Sequence, residues 1–346
     1  MIRVLHVLCD LSGGGAERLV LGLCREGLVH QEVATVHAQP DDLAEDYRRA
    51  GVRVHRGARA RGTSGFAAIL ELTRLAHGFD IVHTHLFAGD TWGRPAARIA
   101  RKPVVTTEHN LNRDENATRT WIKRGMASSS DRLVYVSEAA RRYAEAHEHI
   151  HHPHAVVIPN GIDLARFSRP STGPATRLLA IGRDVPQKGF DVLVRALPAG
   201  THLRIAGRST HRGVRTVAVP GGTATVDWLG PRDDIPDLLA DSDILVVPSR
   251  WEGFGLAALE GMTAGVPVVA SNVDGLAELI GDAGVLVPKD DPDALRDALV
   301  RLLADAPERA RLADAGRARA ALFSLAACAR RYAALYAELA PTATPW

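Results

Sequence analysis

Two glutamates flank a glycine-bearing turn in Glu252-Gly-Phe-Gly-Leu-Ala-Ala-Leu-Glu260. An apolar run, Asp243-Ile-Leu-Val-Val-Pro-Ser249, precedes the segment, and another, Val266-Pro-Val-Val-Ala270, follows it. The pattern reads as strand, helix and parallel strand. Gly253 and Gly255 let the backbone approach a ligand closely, and the helix that starts there offers unpaired N–H groups at its positive end. Roughly six helical residues at ~1.5 Å each set the two carboxylates about 9 Å apart. That is too far for a shared proton. It suits a ligand with hydroxyl-rich ends and an anion between them, as in a nucleotide-diphosphate sugar.

Other residue patterns fit the same ligand. Gly182-Arg183-Asp-Val-Pro-Gln-Lys188-Gly189 follows a strand-like run, so Arg183 and Lys188 form a cation pair at a strand's carboxyl end. Two such charges would offset the charge growing on a departing diphosphate, a task that a metal performs elsewhere. Solvated surface cations are the ordinary alternative. Gly13, Gly14 and Gly15 stand between a strand and a helix, where backbone N–H groups meet anions, or where a tight turn needs glycine. Thr106-Thr-Glu-His109-Asn110 ends a strand and should turn His109 toward a ligand. His83 and His85 have a weaker claim on the same ground.

The elements that would position these groups alternate along the chain. Strand candidates are Arg3–Leu8, Glu32–His37, Val52–His55, Asp80–Thr84, Pro103–Thr107, Arg132–Val136 and Ala155–Ile158, with helices such as Ala16–Val29, Gly65–His77 and Glu138–Glu148 between them. A second series comprises Arg177–Ile181, Leu203–Ala206, Val214–Val219, Val226–Leu229, Ile244–Pro248, Val266–Ala270 and Val285–Val287. This predicts an α/β protein of two Rossmann-like, doubly wound parallel sheets with a ligand cleft between them. The expected domains are 1–162 and 177–324, joined by a linker at 163–176, with 325–346 a helix crossing back to the first domain.

Composition narrows the class. The chain has 346 residues, 46% hydrophobic and 24% charged, with a net charge of +2, which argues against nucleic acid as a partner. Three cysteines without metal-like spacing fit reduced thiols and a cytoplasmic home. The start lacks a signal-peptide pattern, and no apolar run reaches the ~18 residues of a spanning helix. Some signals read as decoys. Asp241-Ser-Asp243 precedes a strand and suggests helix capping over metal binding. His147, His149, His151, His152 and His154 suggest an exposed turn. Arg119, Trp121, Lys123 and Arg124 suggest a solvated helix face, with membrane-surface contact as the alternative.

Taken in order, these pieces resemble family 4 of the retaining glycosyltransferases, which have the GT-B fold. The resemblance rests on the glycine loop with Gly-Ala-Glu-Arg18, the His109 segment, Val136-Ser-Glu138, Val157-Ile-Pro-Asn-Gly-Ile-Asp163, Gly182-Arg183 with Gln187-Lys-Gly189, Leu229-Gly230, Pro248-Ser249 and the Glu-x7-Glu segment with Gly265-Val-Pro-Val-Val. It implies that Glu252 contacts the donor sugar, that N–H groups over Gly253, Phe254, Gly255 and Leu256 hold its hydroxyls, and that Glu260 grips the ribose. It further implies diphosphate binding by Arg183 and Lys188, approach of the Gly13–Gly15 loop to the same phosphates, and a sugar contact for His109. The implied chemistry is a front-face transfer with retention, no divalent metal, and no cofactor besides the nucleotide sugar. UDP is the favoured nucleotide, with residues 207–225 and Trp228–Asp234 expected near its base. The expected acceptor is a natural product or aminocyclitol, or a lipid-linked or cell-surface glycan, in a cytoplasmic, bacterial enzyme with at most peripheral membrane contact. A GT-B epimerase or a non-catalytic nucleotide-sugar binder is the alternative. A nicotinamide oxidoreductase is disfavoured by the missing Gly-x-Gly-x-x-Gly and ribose acid.

Overall fold

Short runs such as Ile244-Leu-Val-Val247 are apolar on every residue, and all four side chains are buried. Strands covered on both faces need that composition, and it leads to parallel sheets with helices on each side. The computed structural model describes residues 1–57, 65–111, 117–167 and 176–340. It divides into two compact units, Met1–Gly161 with Leu325–Trp346, and Ile162–Ser324. The chain returns to the first unit through the helix Leu325–Leu339. Of the expected linker, residues 168–175 lie outside the described residues, and Leu164–Phe167 is a short helix.

The first unit holds seven strands: β1 (Arg3–Leu8), β2 (His30–Thr35), β3 (Val54–His55), β4 (Ile81–His85), β5 (Val104–Glu108), β6 (Arg132–Tyr135) and β7 (Ala155–Val157). All pair in parallel, in the order β3-β2-β1-β4-β5-β6-β7. Alternating residues of one strand serve opposite layers. Val4 packs with Leu19, Leu23, Tyr332 and Tyr336, whereas Leu5 packs with Leu72 and Val82. The helix Leu325–Leu339 lies against the helix Gly15–Glu26. There a Cβ added to Gly22 would come 2.8 Å from Leu325 Cδ1.

The second unit holds β8 (Arg177–Ile181), β9 (His202–Ala206), β10 (Gly213–Val219), β11 (Gly222–Gly230), β12 (Ile244–Val247), β13 (Val268–Ser271) and β14 (Val285–Val287). Their order is β10-β11-β9-β8-β12-β13-β14. Every pair is parallel except β10 with β11, an antiparallel hairpin. Pro220 and Gly221, the latter at φ +84°, make its two-residue turn. The sheet is otherwise the parallel one expected, and the antiparallel pair sits at its edge, where a hairpin needs no crossover helix.

In both sheets the strand order reverses beside the first strand, between β1 and β4 and between β8 and β12. Open α/β sheets bind ligands at the carboxyl ends of strands flanking such a reversal. Among the described residues no helix is long and apolar enough to cross a membrane.

Candidate active site

In the second unit, the loops after β8 and β12 are stitched together. Arg250 N donates to Gln187 O at 2.8 Å, and Gln187 Nε2 donates to Trp251 O at 3.0 Å. The turn Pro186–Lys188 ends at Gly189 with φ +62°, tucked against Pro248, where a Cβ would lie 2.1 Å from the carbonyl oxygen. Only glycine satisfies both demands. The Arg250 guanidinium fastens the same loops by donating to Asp191 at 2.8 and 3.0 Å, Asp290 at 2.6 Å and Pro186 O at 2.7 Å. Hydrogen bonding to this guanidinium, with its charge, outweighs partial burial and holds the Asp191 carboxyl below its ordinary range.

This scaffold brings Lys188 and Glu252 into direct contact, Nζ donating to Oε1 in a close ion pair. Ser249 Oγ donates to the same carboxylate oxygen at 2.9 Å. Glu252 is only 7% exposed, so the second carboxylate oxygen and the ammonium's remaining protons are what the pair offers a ligand. Sequence reasoning gave the two residues separate roles; the structure makes them one unit. Gln187, Ser249 and Arg250 were missed as supports, although their positions beside Lys188 and Glu252 were a signal.

The turn at Gly253–Gly255 is pressed from below. A Cβ on Gly275 would lie 2.4 Å from Glu252 O, and one on Gly255, at φ +101°, would lie 2.5 Å from Leu276 Cδ2. The Phe254 side chain is buried edge-on against Phe323 at 5.6 Å, so only its backbone can serve a ligand. Leu256 opens the helix Leu256–Ala264, and Glu260 is half-buried within it. Arg183 is exposed one residue past Gly182.

The expected base-binding region divides. Residues near Gly207 and Gly230 lie at the carboxyl end, where Gly207 N donates to Gly230 O at 2.8 Å and the His211 ring sits 4.9 Å from that of Trp228. The rest, 213–225, is taken up by the edge hairpin.

In the first unit, Gly13 to Gly15 follow β1, with φ +79° at Gly13 and Gly14 capping the helix Gly15–Glu26. Asp10 Oδ1 accepts from Ser12 N at 2.9 Å, and Arg18 Nε donates to Gly13 O at 3.2 Å. The buried Glu17 already sits over the loop, its Oε2 being 2.6 Å from where a Gly14 Cβ would stand. A carboxylate in the first turn offsets part of the positive helix end.

His109 follows β5 and is 9% exposed. Its Nε2 lies 3.0 Å from His85 Nδ1, while its buried Nδ1 has no partner. Burial lowers its pKa to about 4, so the ring is neutral at pH 7. His83 and His85 are fully buried beneath it, and with His6 they form the group of metal-capable side chains found among the described residues. Their nitrogens are committed to hydrogen bonds instead, His83 to Tyr336 at 2.7 Å and to Thr107 at 2.8 Å.

One other expectation changes, that for Lys123, and two are extended. Asp241 caps the end of the preceding helix, Ile235–Ala240, as expected, its N–H donating to Asp237 O at 3.0 Å. Asp243 Oδ2 accepts from Thr176 N and Arg177 N at 3.1 and 2.8 Å, and Asp241 pairs with Arg177 and Arg204, fastening the strands' amino ends. Lys123 is not on a solvated face but buried against Glu108 and Glu148 at 3.2 and 3.0 Å, while Trp121 is exposed. The histidine run is largely exposed, as expected, and its His149, His151, His152 and His154 line a cavity of about 550 Å³ with Arg98, Arg124 and Arg132. That cavity opens at the amino ends of β6 and β7, away from the site.

The sequence matches the description Glycosyltransferase Family 4 over residues 13–166 and Glycosyl transferases group 1 over 175–305. The D-inositol 3-phosphate glycosyltransferase of Xylanimonas cellulosilytica is 33% identical over 308 residues, covering 75% of this chain and 72% of that one. The protein of that description in Salinispora tropica is 32% identical over 312 residues, covering 73% of this chain and 63% of its own. Among solved structures, Anabaena HepE in complex with UDP and glucose superposes with a TM-score of 0.85 at 20% identity, covering 98% of this chain and 100% of that one. The likeness gives the fold, GT-B. With ordered motifs in both halves and a relative this similar over most of its length, the chain belongs to glycosyltransferase family 4.

Proposed function

We propose that this protein moves a hexosyl group from a UDP-sugar to a hydroxyl of a cyclitol-like acceptor, retaining the anomeric configuration and using no divalent metal. The Lys188–Glu252–Ser249 cluster at the reversal point between β8 and β12 carries the reading. Donor binding would divide the ion pair. Lys188 turns to the diphosphate with Arg183, while Glu252 accepts from sugar hydroxyls that N–H groups of Gly253 to Leu256 also hold, and Glu260 takes the ribose. Gly13–Gly15 meets the phosphates and His109 the transferred sugar. The bond from the anomeric carbon to the phosphate oxygen breaks with its electron pair leaving on phosphate. The acceptor oxygen bonds to that carbon from the same face and gives its proton to the leaving phosphate. The two cations do for the leaving charge what a metal would do. The relatives named for D-inositol 3-phosphate support the cyclitol, and the UDP in the HepE structure supports the base.

The test is incubation of UDP-glucose with myo-inositol and with D-inositol 3-phosphate, reading the product's anomeric coupling. An α-linked product formed equally well in EDTA is expected. A β-linked product would overturn retention, and loss of activity restored by Mg²⁺ would overturn the metal-free reading. Thermal-shift comparison of UDP, GDP, ADP and dTDP checks the base. A ligand at 100 times its Kd adds about 2.7 kcal/mol, and UDP is expected to give the largest shift.

A further inference from the structure

Three polar side chains form an unbroken chain beneath His109, and its hydrogen bonds have a single consistent direction. Gln31 Nε2 donates to the carbonyl of Leu23 at 2.8 Å, which turns the amide oxygen toward His6. That oxygen can only accept, so His6 Nε2, 2.8 Å away, carries the proton. Burial lowers the His6 pKa to about 4 and that of His85 well below its usual value, so each ring is neutral with one N–H. His6 Nδ1 is therefore an acceptor, and His85 Nε2, at 2.9 Å, must donate to it. His85 Nδ1 is then the acceptor for His109 Nε2–H at 3.0 Å. The last lone pair in the series is on His109 Nδ1, which is buried and has no partner. Orphaned buried polar atoms are uncommon, and one at the end of a directed chain marks a place for a ligand's polar group.

We propose that Gln31, His6 and His85 are positioning residues that fix the tautomer of His109, so that its Nδ1 stands ready to accept a hydrogen bond from a hydroxyl of the transferred sugar. The proposal rests on the proposed function for the sugar contact, but the relay itself does not. The geometry of the sheet builds it. His6 and His83 are register partners on β1 and β4, and the two-residue period of β4 puts His85 on the face of His83. Tyr332 and Tyr336 cap that face, their hydroxyls 3.1 Å from Thr107 Oγ1 and 2.7 Å from His83 Nδ1. No water is needed to complete the chain, and no ring is free to turn without breaking a bond to its neighbour.

Nitrogen NMR of ¹⁵N-histidine-labelled protein tests the relay without any ligand, the rings being assigned by single substitution. In the free wild-type protein, His6, His85 and His109 are each expected to show a protonated Nε2 and an unprotonated Nδ1. A protonated Nδ1 on His109 would overturn the relay. Gln31→Leu removes the acceptor that sets the direction, and His109 is expected to shift toward the opposite tautomer. Unchanged ring tautomers in that variant would also overturn it. If Gln31→Leu does not fold, the wild-type spectrum still decides. Addition of UDP-glucose is expected to move His109 Nδ1 in the direction of an accepted hydrogen bond. The expected tautomers with no movement on UDP-glucose would overturn the sugar contact and leave the relay standing. In turnover of UDP-glucose, Gln31→Leu should lower kcat about tenfold to a hundredfold with KM little changed.

Discussion

Lys188→Ala should lower kcat/KM for glycosyl transfer from UDP-glucose by about 10²–10³-fold, about 2.7–4 kcal/mol of transition-state stabilisation. The size follows from when the ammonium acts. Charge accumulates on the leaving diphosphate as the anomeric bond breaks, so a fixed cation gains most at the transition state, and kcat should carry most of the loss. The fold should survive. The loops that carry Lys188 and Glu252 are held by Arg250 N to Gln187 O, by Gln187 Nε2 to Trp251 O and by the contact of Gly189 with Pro248, none of which uses the ammonium. Circular dichroism and the melting curve check that point. Turnover within about threefold of wild type in a folded Lys188→Ala protein would remove the cation from the reaction.

The sequence was most legible where one residue type serves one purpose. Parallel strands covered on both faces need largely apolar runs, and Arg177–Ile181 and Val285–Val287 were read with the boundaries they have, as was Arg3–Leu8 despite His6 within it. The turn at Gly13–Gly15 was legible for the same reason, since the φ of +79° at Gly13 lies where other residues rarely go. Reading became poorer where a polar residue interrupts the pattern for a distant partner. Strand β2 was expected from Glu32, yet it begins at His30, because Gln31 looks like loop composition and is in fact buried against His6. Residues 207–225 were expected near the base, yet most of them form an edge hairpin, of which the strand Val214–Val219 had been read. The histidines of β4 carried a signal that the alternation His-Thr-His could have given. Two imidazoles on one face of a fully buried strand must find polar partners, and those partners lie as far along the chain as Tyr336. No local pattern records such a pairing. Lys188 and Glu252 show the same limit, being 64 positions apart and in contact.

Lys123→Met tests another residue that was misread, and it should cost about 3–5 kcal/mol of stability. Lys123 stands between Glu108 and Glu148, with Arg94 3.9 Å from Glu108 and 3.2 Å from Asp90, and all five side chains are buried. Burial alone would raise the Glu108 carboxyl, but the charges of Lys123 and Arg94 outweigh it and hold the pKa below its ordinary value. A depressed carboxylate contributes stability above its unfolded pKa, and that contribution is lost as pH falls through the folded value. Replacing the ammonium by an apolar chain of similar length keeps the volume and leaves the two carboxylates without their shared cation. The Glu108 carboxyl then loses the charge that most lowers it, so the variant is penalised most where that group would be ionised. The deficit against wild type should therefore be larger at about pH 8 than at about pH 5, where protonation relieves it. Thermal unfolding of the first unit should show a drop on the order of 10 °C near neutral pH. Combining Lys123→Met with Glu108→Gln and Glu148→Gln should recover much of it, because removing all the charges together strands none of them. A single Lys123→Met variant as stable as wild type at both pH values would show that these buried charges are not mutually dependent. Glu108 immediately precedes His109, so the same variant also asks whether the β5 end that presents the imidazole is held by this ion cluster or by the histidines beneath it. A ¹⁵N spectrum of His109 that is unchanged in the destabilised variant would assign that task to the histidines.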